Sequence, residues 1–448
     1  MDIQIIIVVL FIGGYLAITL EHTLKIDKLI PALGMMALLW AIISLGHLEV
    51  FSVNSDLKQL ESTHLEEILL HHLGKTAEIL VFLIGAMTIV EIIDYFDGFA
   101  TIKGFIRTKS KTSLLWIFCI LGFILSAIID NLTATIVLIT ILQKVINDRN
   151  TRLWFAGLII IAANAGGAWS PIGDVTTTML WIANKVTTMQ LIVHTFIPSI
   201  ICMVVPVLIA SRYKVFSGEI ELDLKDEEPT SKYGARMLYL GLGMIVFVPI
   251  FKTVTHLPPY IGMMLSLAVV ATMAEIYSNR MFDLTNVGDD HDASDAAAHH
   301  SPVHKSLGRV EMPSILFFLG ILMAVAALES LGMLFNFAID LDTAVPNRDI
   351  VVAILGLGSA VIDNVPLVAA SIGMFSEPLD SPLWHFIAYS AGTGGSILII
   401  GSAAGVVAMG MEKINFFWYL KKIGILALMG FVAGGIAFIM LRDYVLTA

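Results

Sequence analysis

The chain has 448 residues, of which 57% are hydrophobic and only 14% are charged, and its net charge is -11. Soluble domains carry about a quarter charged residues, so this composition, with a mean hydropathy of +0.86, excludes an ordinary soluble protein. Apolar runs recur from end to end and predict an all-α polytopic membrane protein. The negative charge lies mainly in loops and indicates no nucleic-acid partner. The cysteines Cys119 and Cys202 lie in apolar runs and indicate no disulfide framework.

The apolar runs predict the following elements in chain order. They lie near residues 3–20, 29–46, 77–95, 112–146, 153–183, 190–211, 236–252, 259–277, 311–336, 349–376, 383–411 and 416–441. The first run has no basic segment or small-residue cleavage site, so we interpret it as a retained span. Between the second and third runs, the leucines of Asp56 to Gly74 alternate with charges and predict an amphipathic surface helix.

One hexapeptide pattern occurs in both halves of the chain. Residues 126–131 read SAIIDN and residues 359–364 read SAVIDN. An acid inside an apolar span is costly, so the repeated pair predicts a duplicated functional site. Non-helical backbone at membrane depth is tolerated only inside protein or along a cavity. We therefore predict that 112–146 and 349–376 are re-entrant helical hairpins, with Asp130–Asn131 and Asp363–Asn364 at their tips.

The basic residues predict the orientation of the chain. With both hairpins re-entrant, the chain crosses the membrane about ten times and both termini lie on one side. Most of the 26 lysines and arginines then lie in loops on the other side, which should be cytoplasmic; the termini should be periplasmic. The halves are then inverted repeats, 1–212 and 236–448, joined by a cytoplasmic linker at 213–235. Inverted repeats with paired broken helices are typical of secondary transporters.

The span after each hairpin contains a glycine-rich interruption. Residues 164–177 read NAGGAWSPIGDVTT and residues 392–404 read GTGGSILIIGSAA. Glycine and proline there free backbone carbonyls from the helical ladder, and a small cation prefers such oxygen ligands. The first segment adds side-chain oxygens from Asn164, Ser170, Asp174, Thr176 and Thr177, and the second from Thr393, Ser396 and Ser402. The second segment has no acid where the first has Asp174, which is therefore the strongest candidate for a titrating carboxylate.

Together these motifs resemble those of the NhaD-type sodium/proton antiporters of the ion transporter (ArsB/NhaD-like) superfamily, over nearly the whole chain. The resemblance implies an inverted-repeat fold with an elevator-type movement, a homodimer, and exchange of Na+ or Li+ for H+ across a bacterial inner membrane. It implies no enzymatic activity and no cofactor besides the transported ions. The family's important polar residues fall, by position, on Asp130, Asn131, Asn164, Asp174, Thr176, Thr177, Ser359 and Asn364, with Glu78 and Ser396 added from the local helix pattern.

Antiport requires a group that holds either a proton or a cation, and a carboxylate in a low-dielectric pocket binds a proton more tightly than it does in water. We expect Asp174 to be this group, with Asp130 or Asp363 as a second carrier. The expected Na+ ligands are Asp174, Asp130, Asn131, Thr176 and Asn364, and Thr177 completes the oxygen shell.

Three alternatives are weighed against this interpretation. An anion or oxyanion carrier of the same superfamily, for a dicarboxylate or arsenite, would favour neutral tips facing helix N-termini, whereas each tip here has an acid. A buried aspartate can also serve only as a helix cap. An intramembrane aspartyl protease would carry a GxGD motif, which the sequence lacks.

Overall fold

The computed structural model describes residues 3–19, 25–54, 59–103, 108–219, 233–285, 301–345, 347–361 and 364–446. Asp363, the predicted acid at the second tip, lies outside these residues, as does most of the predicted linker 213–235. The helices of the first half are α1 (Ile3–Thr19), α2 (Leu29–Leu45), α3 (Leu65–Tyr95), α4 (Ala100–Lys103), α5 (Lys111–Ile129), α6 (Asn131–Val145), α7 (Arg149–Gly167), α8 (Val175–Ile182) and α9 (Thr188–Ala210). A short 3-10 turn follows at Lys214–Phe216.

The second half is also helical. Its helices are α10 (Gly234–Thr255), α11 (Pro259–Thr285), α12 (Pro302–Leu307), α13 (Met312–Ser330), α14 (Met333–Ala344), α15 (Arg348–Gly358), α16 (Asn364–Met374), α17 (Pro382–Gly394), α18 (Ala403–Glu412), α19 (Phe416–Tyr419) and α20 (Ile425–Leu441). Two π-helical turns, Leu420–Gly424 and Arg442–Leu446, flank α20. Within the described ranges, seven helices are long and apolar enough to span a membrane. The chain is therefore a multi-pass membrane protein.

Residues 56–74 differ from the predicted amphipathic helix. Val50–Asn54 (β1) pairs antiparallel with Gln59–Thr63 (β2), and α3 runs without interruption from Leu65 to Tyr95. The prediction is therefore wrong at Gln59–Thr63, and residues 56–58 lie outside the described ranges. The strand partner β1 is rich in β-branched and aromatic residues, which favour pairing, and its presence nearby overrides the leucine spacing of the second strand.

The helices pack into two groups. In the first, which we call the flanking bundle, α2 packs between α1 and α13, and α11 packs between α3 and α10. In the second, the core bundle, α5 to α9 pack with α15 to α20, with α9 against α20, α5 against α7 and α15 against α17. Helices α7 and α17 lie at the centre of the core bundle, because Trp154 to Gly167 and Trp384 to Gly394 are buried on every side. A helix that is apolar all round is expected in such a position.

Two helical hairpins lie in the core bundle. Helices α5 and α6 meet at Asp130 and run antiparallel, because a Cβ placed on Gly122 would lie 3.3 Å from Leu138 Cδ1. Helices α15 and α16 fold back in the same way, with Gly358 opposite Leu367. Each hairpin precedes an interrupted helix in the chain.

The interruptions bring backbone against backbone. Helix α7 ends at Gly167 and α8 begins at Val175, while α17 ends at Gly394 and α18 begins at Ala403. A Cβ on Gly166 would overlap the carbonyl oxygen of Phe123 in the first hairpin, and a Cβ on Gly394 would overlap that of Gly356 in the second. Only glycine allows this approach, so these positions seat each hairpin on the interrupted helix that follows it.

Candidate functional site

Asp174 lies at the first interruption, where it begins helix α8. Its side chain is buried, with 3% of its surface exposed. The Oδ1 atom accepts a hydrogen bond from the backbone N–H of Thr176 at 3.1 Å, so Asp174 is the N-cap of the helix. A carboxylate is stabilised there by the unpaired N–H groups and the positive end of the helix dipole. The local sequence thus places an ionisable oxygen pair at the centre of the bundle.

Both hairpins contact the same oxygen of Asp174. The Nδ2 atom of Asn131 donates to Asp174 Oδ2 at 3.0 Å, and the Nδ2 atom of Asn364 donates to it at 3.1 Å. Each asparagine is the first residue of the second helix of its hairpin. The fold therefore brings the two SAIIDN-type segments together at one acid.

The hydrogen bonds continue to the second interruption. Asn131 Nδ2 lies 3.3 Å from Asn164 Oδ1, and Asn164 Nδ2 donates to Ser402 Oγ at 3.1 Å. Ser402 is the N-cap of α18, with φ -145° and ψ 152°, nearly the same angles as Asp174 at -147° and 149°. The second interruption therefore carries a hydroxyl where the first carries a carboxylate.

The two threonines after Asp174 differ in what they contact. Thr177 Oγ1 donates to the carbonyl of Asp174 at 2.9 Å and so stabilises the interrupted backbone. Thr176 Oγ1 is fully buried and has no hydrogen-bond partner in the part of the chain that the structure describes. An unsatisfied buried hydroxyl costs about 1–3 kcal/mol, and Thr176 is the second residue of the helix that Asp174 caps.

Asp130 is held by its own helix. Its Oδ1 accepts from the backbone N–H of Thr133 at 2.7 Å, and its Oδ2 accepts from the Thr133 hydroxyl at 3.0 Å. Its backbone adopts φ 89° and ψ 159°, a region that is nearly restricted to glycine and costs about 1–3 kcal/mol. The capping role considered for this acid is therefore present, and the strain is of the kind that accumulates at functional sites.

Three other predicted site residues do not contact Asp174. Ser359 Oγ donates to the carbonyls of Gly356 and Ala391 and so joins the second hairpin to α17. Ser396 Oγ donates to the carbonyl of Thr393. Glu78 is half-buried on α3, in the flanking bundle. Their roles as ion-binding residues stay predictions.

A small cavity of about 80 Å³ adjoins Asp174. The core bundle contributes its polar wall, which includes Asp130, Asn131 and Asn364. The flanking bundle contributes a mostly apolar wall, to which Lys28 and Ser314 add polar atoms. Its apolar residues are Phe82, Met87, Ile245, Met263 and Phe318. Since a water molecule occupies about 30 Å³ in the liquid, this cavity suits a small ion with one or two waters.

Three residues at or near the site were not predicted from the sequence: Thr133, Lys28 and Ser314. Thr133 had a signal, because it follows Asp130 by three residues, the spacing of an N-cap and its N3 position. Lys28 begins the apolar run of α2, where a lone cation is ordinarily a loop residue. Ser314 has no distinguishing sequence signal, and only the packing of α13 places it at the cavity.

The chain is similar to known transport proteins over most of its length. A family model described as a citrate transporter matches residues 6–380. The chain is 40% identical over 440 residues to sodium/proton antiporter 1 of Arabidopsis thaliana, which covers 97% of this chain and 72% of the relative. It is 38% identical to sodium/proton antiporter 2 of the same plant, with 97% and 99% of the two chains covered. It is 30% identical over 448 residues to the Na(+)/H(+) antiporter NhaD of Vibrio cholerae, with 97% and 91% covered.

Proposed function

The chain belongs to the citrate-transporter family and, within it, to the NhaD-type sodium/proton antiporters, and from this premise we propose that it exchanges Na+ for H+ across the membrane that it spans. The observation that carries the proposal is the buried carboxylate of Asp174, which accepts one amide hydrogen bond from each hairpin. A site built symmetrically around one ionisable group suits a reaction in which two cations compete for that group.

The site supplies different partners to the proton and to sodium. A proton binds one carboxylate oxygen directly, whereas Na+ needs several oxygens around it. The free hydroxyl of Thr176 can provide one of them. Among the described residues, no hydrogen bond occupies the amide oxygens of Asn131 and Asn364, whose nitrogens are turned to Asp174. Asp174 with these three side chains therefore forms the proposed Na+ site, which Li+ would also fit.

We assign secondary roles to the other acids. Asp130 lines the same cavity, and its charge would attract a cation even though both of its oxygens cap α6. Asp363 stays a proposed second carrier from its position in the repeated hexapeptide. Asn164 supports Asn131, and Thr177 supports the backbone of the interruption.

Transport of citrate or another anion fits the site less well, although the family model is described by that name. An anion would face the carboxylates of Asp174 and Asp130 across a cavity of about 80 Å³. Like charges that share a small cavity of low dielectric constant repel strongly, and the cavity is small for a tricarboxylate. We therefore prefer exchange of Na+ for H+ over anion transport as the function of this site.

The inverted-repeat architecture is part of the proposal. It comprises repeats 1–212 and 236–448, the linker 213–235, re-entrant hairpins near 112–146 and 349–376, and broken helices near 153–183 and 383–411. It is supported by paired contacts: Ser126 Oγ donates to the carbonyl of Ala163, as Ser359 Oγ donates to that of Ala391. The equal cap geometry of Asp174 and Ser402 supports it further.

We propose that the core bundle moves against the flanking bundle in an elevator-like step. The ion cavity lies where the two bundles meet, with polar groups on one side and mostly apolar side chains on the other. An ion whose charge is neutralised by Asp174 would be able to move past such a mostly apolar wall. The homodimer, the periplasmic termini and the bacterial inner membrane stay predictions, since the relatives include plant as well as bacterial proteins.

The proposal is tested by proton flux in proteoliposomes. Asp174→Asn should abolish proton movement driven by Na+ or Li+, because an amide cannot exchange a proton for a cation. Asp148→Asn is the matched control, because Asp148 is an exposed helix cap outside the site. Addition of K+, succinate and arsenite in turn tests the substrate class. Wild-type exchange by Asp174→Asn, or a response only to an anion, would overturn the proposal.

A further inference from the structure

A second cavity, of about 650 Å³, lies behind the ion site. It is enclosed by α5, the interruption after α7, α9 and α10. Carbon atoms form nearly all of its wall, with side chains such as Phe123, Ile124, Phe196, Met203 and Val246. Among the residues that the structure describes, the hydroxyl-bearing ones that line it are Ser170 and Thr188, and none of the lining side chains is charged.

This apolar cavity shares a wall with the ion cavity. Ile128 and Ile172 line both of them. Ile128 precedes Asp130 by two residues at the hairpin tip, and Ile172 precedes Asp174 by two residues at the interruption. An occupant of the apolar cavity therefore contacts Ile128 and Ile172, each two residues before one of the acids.

Water is a poor occupant of such a space. A buried water needs two to four polar partners, and apolar cavities of about 150 Å³ stay dry and bind apolar molecules instead. Left empty, this cavity would deprive its wall of packing contacts on one side. An apolar occupant is therefore required.

The membrane supplies that occupant. The cavity continues into the outer, lipid-facing surface of the helices, since Ile120 and Ile124 of α5 are 44% and 49% exposed and Ile250 of α10 is 56% exposed. These residues also line it, so hydrocarbon reaches the cavity without crossing a polar surface. We propose that the cavity is a binding site for one acyl chain of a membrane phospholipid, and that this chain supports the Ile128–Ile172 wall of the ion site.

The apolar cavity also lies between the core bundle and the flanking bundle. Helices α5 and α9 belong to the core bundle and α10 to the flanking bundle. An acyl chain between them would have to slide or leave when the bundles move. This coupling to movement rests on the proposed exchange activity, whereas the binding of the acyl chain does not.

Helix α9 offers a matched pair of positions for the binding test. Ile192 and Ile200 line the cavity, whereas Val193 and Ile197, 40% and 48% exposed, lie on the same helix outside it. Ile192→Trp and Ile200→Trp should each narrow the space that an acyl chain needs, and Val193→Trp and Ile197→Trp should leave it unchanged. Each variant is reconstituted with palmitoyl-oleoyl phosphatidylglycerol, extracted in mild detergent and examined by native mass spectrometry, after its melting profile has shown that it is folded.

The wild-type protein and the two outward variants should retain one phospholipid per protein chain, and the two cavity-facing variants should retain less. Equal retention by all four variants would overturn the proposal, as would retention of detergent alone by the wild-type protein. In vesicles made of phospholipids with shorter acyl chains, the exchange rate of the wild-type protein should change at least twofold. The rate of the two cavity-facing variants should not. If the wild-type protein shows no exchange at all, the proposed function fails, and the phospholipid count still decides the binding proposal.

Discussion

The two amides that hold Asp174 should set the pH at which exchange begins. Asn131 and Asn364 each donate one hydrogen bond to Asp174 Oδ2, at 3.0 and 3.1 Å. A donor on a carboxylate stabilises its ionised form. Replacing either asparagine by leucine, which has a similar shape and no donor, therefore favours the protonated form. Proton release from Asp174 should then require a higher pH.

The size of the effect follows from the hydrogen bond. A bond to a charged group is worth about 1.5–3 kcal/mol, and one pH unit corresponds to about 1.4 kcal/mol. Asn131→Leu and Asn364→Leu should each raise the pH of half-maximal exchange by about one to two units. The double variant should shift it by less than the sum, because both donors share one oxygen and their effects are coupled.

The assay is the Na+-driven change of a pH-sensitive dye inside proteoliposomes, recorded over a series of external pH values. The apparent KM for Na+ should rise as well, because each leucine also removes an amide oxygen from the proposed ion site. Ser371→Ala is the control, since this buried hydroxyl bonds only the carbonyl of Leu367 within α16 among the described residues and is not a predicted site residue. An unchanged pH profile in both asparagine variants, with a shifted profile in the serine variant, would refute the reasoning.

Two further predictions concern stability, measured by thermal unfolding in detergent. Gly166→Ala should lower the free energy of unfolding by at least about 1–3 kcal/mol, because its Cβ would meet the backbone of Phe123. Gly410→Ala is the control: no atom lies within 4 Å of the added Cβ, so this change should stabilise α18 by about 0.5–1 kcal/mol. Equal effects of the two changes would contradict the close approach at Gly166. Glu412→Gln should cost about 3 kcal/mol, because it leaves the guanidinium of Arg152, 3.2 Å away, without its buried counter-charge. Replacing both partners by apolar residues should recover part of this loss, because Arg152 also donates to the carbonyls of Ile146 and Asn147. A single variant Glu412→Gln as stable as the wild-type protein would argue against a role of the ion pair.

Several features could be predicted because they are local in the chain. Apolar length identifies the spans, and the glycines of residues 164–177 and 392–404 locate the two interruptions close to where the structure has them. The contrast between Asp174 and its uncharged counterpart also follows from the sequence alone, since it needs only the comparison of two short segments. The leucine spacing before α3 led to a wrong prediction because it is also local. It carries no information about the strand β1, which pairs with this segment.

The site itself depends on contacts between distant segments. The amide of Asn131 is 43 residues from Asp174 and that of Asn364 is 190 residues away, and both reach one oxygen because glycine lets each hairpin pack directly on an interrupted helix. Sequence alone determined that the chain is a membrane protein, and it predicted two acidic hairpins and one carboxylate without a counterpart in the other half. Only the tertiary structure decided that the two asparagines bind that carboxylate while Asp130 caps its own helix, because side-chain partners are set by packing between elements and not by the pattern within any one of them.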